Sequence, residues 1–364
     1  MFSFLFSMQT IPPLIPSITE EFRVDYSTVS TLMLLVALPS VILSIFSGFL
    51  AQKYGIKKMT SFGLLLVSAG SILSITTNSF TTFQVARLII GIGGAIVAAI
   101  APISVYEFFE TKELGLAMGV IGQAMPFATV IAFNTLGVIQ INSGWRSSVA
   151  ISAIISVICL LIYIITIKEK KKVPIKKFEL KTLRNNKIWL LGLIWAFFNM
   201  AAVGYSTWGK TLFYEFNNLP SNYSDFLAST FMLGGFACPL AGYLSDRIQK
   251  RKVFLIVSTA GNALVFAVFI FINQNLFFPF AILLGVFDFL LPPIIFALPQ
   301  EILGTENGGI GMGVLNSCLN IGVVIGPTLI GVILDWTGSA ALSFLLLSGY
   351  MIAALILTLG LKSK

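Results

Sequence analysis

The sequence predicts an all-α membrane protein built as two related helical halves. Three observations predict it. Of 364 residues, 57% are hydrophobic and only 10% charged, where an ordinary soluble domain is about 25% charged. The apolar residues fall in long runs, and roughly 18 or more in a row suffice for a helix to cross a bilayer. A charged stretch, SGFLAQKYGIKKM at 47–59, returns as AGYLSDRIQKRKV at 241–253, displaced by 194 positions (242 − 48).

Taken in order, the runs give about twelve spans: approximately 1–18, 27–52, 58–77, 80–106, 114–140, 146–168, 188–212, 223–246, 252–273, 276–300, 308–335 and 338–361. Each is long enough to cross at about 1.5 Å per residue. With both termini in the cytoplasm, 19 of the 23 Lys and Arg fall on the cytoplasmic side, as the positive-inside rule requires. The four others are Arg23, Arg87, Arg146 and Lys210. The division is an N-terminal six-helix bundle over 1–167, a basic cytoplasmic linker KEKKKVPIKKFELKTLRNNK over 168–187, and a C-terminal six-helix bundle over 188–364. The linker's cations suit anionic headgroups, although a solvated loop with positive-inside bias explains most of them. The first span is short against its repeat partner, and a start upstream of Met1 is expected. No cleavable leader is read, because the first basic residue is Arg23.

Composition also excludes. The net charge of +8 follows from membrane topology and does not point to nucleic acid. There is no histidine, so neither a His relay nor a His metal site exists. Cys159, Cys238 and Cys318 show no metal or redox spacing and read as small packing residues. No nucleophile–base set and no P-loop appear. The chain is expected to be neither an enzyme nor driven by ATP, and to need no cofactor.

The repeat extends further. APISVYEFFE (101–110) parallels PPIIFALPQE (292–301), and LGVI (136–139) parallels IGVI (330–333). Two similar halves around a central site are a transporter design. On these residues the chain resembles the major facilitator superfamily along nearly its whole length. The opening stretch is similar to that family's loop motif between helices two and three, G-x-L-a-D-r-x-G-r-k, and to its copy between eight and nine. The second copy keeps the acid as Asp246, and the first has Gln52. RLIIGIGGA (87–95) resembles the fourth-helix motif, with Arg87, Gly91 and Gly93 in place.

The resemblance implies secondary active transport by alternating access, one bundle rocking against the other. The doubled motif then reads as a cytoplasmic gate. Gly48 and Gly242 permit close helix packing. Asp246, and more weakly Gln52, meet the positive start of the fifth span near Leu114. Lys57 reaches Glu110 or Glu107, and Arg251 reaches Glu301. Each such pair is worth about 0–1 kcal/mol at a wet surface, which suits a latch. The alternative is that these charges only enforce topology.

Charges at bilayer depth are costly and therefore informative. Arg87, on the fourth span, either holds an anionic substrate or is a structural cation bonded to nearby carbonyls. The resemblance implies that this arginine matters for proton-linked transport. Asp288, in GVFDFLLPP on the tenth span, is a candidate proton carrier, or else an acid permanently protonated or paired. Pro292 and Pro293 remove two backbone donors one turn later and should bend the helix there. Lys210 is expected to snorkel to the outer interface; otherwise it faces a cavity, with Tyr205 and Trp208 as its aromatic wall. Those rings are equally placed to be interface anchors. Gln123, Asn134, Asn199, Asn316 and Asn320 either join helices or line the cavity. Because helices one, four, seven and ten line it most fully in this family, Asn199 is favoured as a contact. Gly326 and Pro327, in GVVIGPTLIG, mark a packing or hinge face on the eleventh span.

EFFETKELGLAMG (107–119) and GWR (144–146) are similar to the branch with anion:cation symporters and cyanate-type permeases. The resemblance implies a small organic anion moved in symport with protons across the plasma membrane by a monomer whose partners are its solute, protons and lipid. The runner-up is a proton-coupled drug or metabolite exporter. Against it, the fifth span reads GQAMPFATVI and keeps one Gly and one Pro of the antiporter motif G-x-x-x-G-P-x-x-G-G. A transporter-like sensor is the third reading.

Overall fold

The computed structural model describes residues 1–108, 121–167, 184–248, 250–303 and 308–361, and within them no strand occurs. The helices are α1 (Phe2–Gln9), α2 (Ile15–Phe22), α3 (Tyr26–Tyr54), α4 (Ile56–Ile75), α5 (Phe80–Phe108), α6 (Ala124–Ile131), α7 (Gly137–Ser143) and α8 (Trp145–Thr166). They continue as α9 (Asn186–Tyr214), α10 (Ser221–Thr230), α11 (Cys238–Ile248), α12 (Arg251–Val268), α13 (Phe277–Leu290), α14 (Pro292–Leu303), α15 (Gly308–Thr337) and α16 (Ala340–Gly360). Among the described residues, ten helical stretches are long and apolar enough to cross a membrane. Two predicted spans are broken into helices too short to count among these ten. The first is α1 and α2 with a 3-10 turn at Pro12–Leu14 between them, and the eighth is α10 and α11 joined by a 3-10 segment at Phe231–Ala237. The predicted bend falls where the two prolines placed it: α13 ends at Leu290 and α14 starts at Pro292.

The chain divides into two compact units, Met1–Lys177 and Phe178–Lys364. In the first unit α5 is the central helix, packed against α3 and α4. Small residues set these crossings. A Cβ on Gly91 would lie 2.6 Å from the carbonyl oxygens of Leu35 and Val36, and one on Gly63 2.8 Å from the carbonyl oxygen of Gly93. Such backbone approaches replace the hydrophobic drive that lipid removes. α8 shows the consequence for patterning. Ile154, Ile158, Leu161 and Ile165 are exposed, whereas Ser148, Ser152 and Ser156 are buried. The apolar residues face outward, toward where lipid would be, and the hydroxyls face inward.

In the second unit α9 is central, packed against α15 and α16. Gly322 and Gly326 on α15 leave no room for a side chain against the carbonyls of Ala196 and Met200. Gly234, in the 3-10 segment, and Gly285, on α13, meet backbone to backbone. Gly285 also abuts the Phe231 carbonyl. Gly91 and Gly285 are repeat partners (285 − 91 = 194). Pro39, inside α3, has its repeat partner at 233 (39 + 194), within the 3-10 segment. The second half thus has a 3-10 segment where the first has a proline within a continuous helix, and in each the glycine-bearing helix crosses close by.

Candidate functional site

Arg87 is 1% exposed and held on three sides. Its Nε donates to the Leu32 carbonyl at 3.1 Å, its Nη1 to Ser7 at 2.7 Å and its Nη2 to Met8 at 3.4 Å. The guanidinium thus ties α5 to α1 and α3. Arginine suits this because its planar fork serves several acceptors at once. Of the two readings offered by the sequence, this geometry is that of the structural cation.

Beside it lies a hydroxyl hub that sequence reading missed. Ser7 Oγ sits 3.2 Å from Ser71 Oγ, 2.9 Å from Ser152 Oγ and 3.1 Å from Ser156 Oγ. The proton directions follow from counting. Ser156 gives its one proton to the Ser152 carbonyl at 2.9 Å, so it must accept from Ser7. Ser7 has then spent its proton, and Ser71 and Ser152 donate into its two lone pairs. A cleft of about 10 Å³, lined by Ser7, Thr10, Ser71, Ser74, Arg87 and Ser152 and also by the apolar Ile11, Phe83, Ile90 and Val149, has room for about one water. The i, i+4 spacing of Ser148, Ser152 and Ser156 was the available signal.

At one end of this unit, Glu21 takes two contacts from Arg146, 2.8 Å to Nη1 and 2.6 Å to Nη2, and one from the Trp145 indole at 2.5 Å. Arg146 Nη2 also donates to the Thr77 carbonyl at 3.0 Å. The clamp joins α2, the end of α4 and the start of α8. The Arg146 hydrogen bond, first among the causes, holds the Glu21 carboxyl below its ordinary range.

In the second unit, Asp288 is 6% exposed. Its side chain has no hydrogen-bond or ion-pair partner among the described residues. It lies in the last turn of α13, one turn before the proline break. There the partial negative charge of the helix end adds nothing to offset a carboxylate.

Lys210 does not snorkel. It is 1% exposed and forms an ion pair with Asp225 of α10, Nζ to Oδ2 at 3.0 Å, the Asp225 side chain being 2% exposed. The expectation failed because α9 is enclosed around its C-terminal turns as well as its middle. For the same reason Tyr205 and Trp208 are neither anchors nor an exposed wall. Both are fully buried. Tyr205 packs edge-on against Phe231 and Phe213, with ring centroids 5.1 and 6.4 Å away, and Trp208 donates its indole proton to the Pro327 carbonyl at 2.8 Å. Asn199 and Asn320 are buried but spend an amide proton on carbonyls four residues back, Trp195 and Asn316. Asn134 is exposed and does the same to Val130. Gln123 is half-buried at the start of α6, and Asn316 is half-buried on α15.

Of the gate residues, Arg251 and Glu301 meet at 2.8 Å, tying the start of α12 to α14 within one unit. Gly242 lies on α11, where a Cβ would sit 3.6 Å from Pro293. That is ordinary contact, looser than the packing expected of it. Gly93 opposes Gly63, as above. Lys57 is half-buried on α4. The side chains of Gln52 and Asp246, the surroundings of Gly48, and Glu107, Glu110 and Leu114 lie outside the described residues.

A family model for the Major Facilitator Superfamily matches residues 1–237 and 209–363. The chain belongs to this superfamily. Among curated members, it is 23% identical over 364 residues to a probable sulfoacetate transporter of Cupriavidus necator, covering 91% of this chain and 84% of that protein. It is 22% identical to a hexuronate transporter of Bacillus subtilis, covering 93% and 86%. It is also 30% identical over 188 residues to the quinolone resistance protein NorB of Staphylococcus aureus, covering 51% and 40%. Among solved structures, the nucleoside transporter NupG superposes with a TM-score of 0.80 at 12% identity, over 100% of this chain and 99% of that one. A bacterial homolog of the human lysosomal transporter Spinster gives 0.76 at 15%, over 99% and 93%. As a member of the superfamily, the protein is a multi-pass plasma-membrane transporter and not an enzyme.

Proposed function

We propose that this transporter moves a small organic anion together with protons by alternating access. The observation that carries the proton is Asp288. A buried carboxyl with no partner, beside a proline break, is placed to bind a proton in one state and release it in another. The anion is supported by the likeness to sulfoacetate and hexuronate transporters along most of their length. In this reading the interrupted stretches α1–α2 and α10–α11 complete twelve spans, both termini are cytoplasmic, and the protein works as a monomer. Residues 1–167 and 188–364 are the two rocking bundles, joined by 168–187. The loop-motif residues Gly48, Gln52, Lys57, Glu110, Gly242, Asp246, Arg251 and Glu301 form the latch. Gly91, Gly93, Gly326 and Pro327 keep the helices within each bundle in register.

The test is uptake of labelled sulfoacetate and glucuronate into proteoliposomes with an imposed inward proton gradient. Uptake driven by the gradient and lost in Asp288→Asn supports the reading. A second reading, proton-coupled export, is favoured by the local likeness to NorB. Gradient-driven extrusion of a quinolone, with no anion uptake, would replace the first reading with the second.

A further inference from the structure

We propose that Asp225 and Lys210 form a joint proton-and-anion site, in which a proton on Asp225 frees Lys210 to take the carboxylate or sulfonate of the solute. The proposal rests on the proton–anion reading above and deepens it.

Both side chains are buried, and they come from different helices, α9 and α10. Lys210 lies four residues before the end of α9 and Asp225 four residues after the start of α10. Both are thus about one turn inside, at about 1.5 Å per residue. The pair is asymmetric. Asp225 places Oδ2 against the lysine, whereas Oδ1 is buried with no hydrogen-bond partner among the described residues, and so is the hydroxyl of Thr211, the residue after Lys210. An unused buried acceptor is where a proton can be accommodated without breaking an existing bond.

Charge balance supplies the coupling. As it stands, the pair is neutral: one cation and one anion. A proton on Asp225 takes from the buried Lys210 ammonium the carboxylate it is paired with, an unfavourable change. A monovalent anion beside Lys210 restores neutrality. Conversely, an anion arriving while Asp225 is ionised meets a like charge. Each ligand therefore favours the other, and reciprocity is required by linkage. Such a site takes up one proton with each monovalent anion. The other charged groups nearby do not replace the pair. Glu215, at the end of α9, is the next acid whose field reaches Lys210. On the elements packed against α9 and α10, the remaining charged side chains are Asp335 on α15, Asp288 on α13 and Glu301 on α14; Lys187 lies at the opposite end of α9, and α16 carries none. Tyr205, Tyr214, Tyr223, Tyr350 and Cys318 complete the titratable set on these elements.

The test is infrared difference spectroscopy of the purified full chain, following the carbonyl stretch of protonated carboxyl groups from neutral to acidic buffer. Asp225→Asn and Asp288→Asn separate the two acids. The expected result is a band that grows on acidification and is missing in Asp225→Asn. At fixed pH it should grow when acetate, sulfoacetate or glucuronate is added, and Lys210→Gln should abolish that anion response. The double variant Lys210→Gln/Asp225→Asn removes both charges together and guards against misfolding of the single variants; it should lose both responses. A spectrum unchanged by Asp225→Asn overturns the proposal, as does a band indifferent to all three anions. Because this readout needs no transport, it decides the site even if gradient-driven uptake is absent. Uptake that remains proton-driven in Asp225→Asn overturns the site while leaving the transport reading intact.

Discussion

α5 and α13 are repeat partners that treat a buried charge in opposite ways. Both carry a glycine, Gly91 or Gly285, against the backbone of a neighbour, the continuous α3 in one case and the 3-10 segment at Phe231–Ala237 in the other. On α5, Arg87 stands one turn before the glycine and is bound to three carbonyls. On α13, Asp288 stands three residues after it and is bound to nothing described. The shared feature is architecture that each bundle needs. The difference separates a charge bonded to backbone carbonyls from one with no partner among the described residues. A cation can be satisfied by backbone carbonyls, which every helix near a break can offer. A carboxylate needs N–H donors, and apart from its first turn a helix has none to spare.

The sharpest way to break this comparison is Asp288→Asn. It should abolish gradient-driven anion uptake while leaving the melting temperature in detergent unchanged or raised, because no contact is lost. A large fall in melting temperature would show that Asp288 is structural after all. Arg87→Met should do the reverse. It strands the carbonyls of Ser7, Met8 and Leu32, at about 1–3 kcal/mol for each one left unsatisfied, and should show as a lowered melting temperature. A folded, stable Arg87→Met that fails only in uptake would move Arg87 to the transport machinery.

Gly91→Leu and Gly285→Leu test the shared architecture. Each forces apart two backbones, at about 3 kcal/mol, and both should reduce the yield of monodisperse protein. Damage from only one would show that the two crossings are not equivalent. The smallest effect is expected at the Glu21–Arg146 clamp. The folded carboxyl titrates below its ordinary range because Arg146 bonds the ionised form. Its contribution is therefore present above the ordinary range and is lost as pH falls through the lowered value. Glu21→Gln should cost about 0–1 kcal/mol near neutrality, and melting curves of variant and parent should converge in acid.

Much of this fold could be read from the chain. The described helices start and end close to the predicted spans, because hydropathy and turn residues mark where a chain leaves the bilayer. The break at Pro292 and the Arg251–Glu301 pair also followed from local rules. The facing of each helix did not. In water the apolar face of a helix is the buried one, whereas in lipid both faces are apolar and periodicity loses its meaning. That is why Tyr205 and Trp208 were misplaced, and why Lys210 was read as snorkelling. Asp225 was passed over because it sits near the start of a span, in SNYSDF, where an acid is unremarkable. Its contact with Lys210 depends on the rotation of α9, which no residue count reveals. The break after Gln9 was hidden as well, since the prolines at 12, 13 and 16 were absorbed into one apolar run.

The serine hub bears on how the protein is made. α8 has a greasy exposed flank and no charge beyond its first turn, so it can enter the membrane by itself. Its hydroxyls, however, find their partner in Ser7, 145 and 149 residues earlier. The bonds between α1 and α8 therefore cannot close until α8 has been synthesised, and they are contacts that neither helix can make on its own.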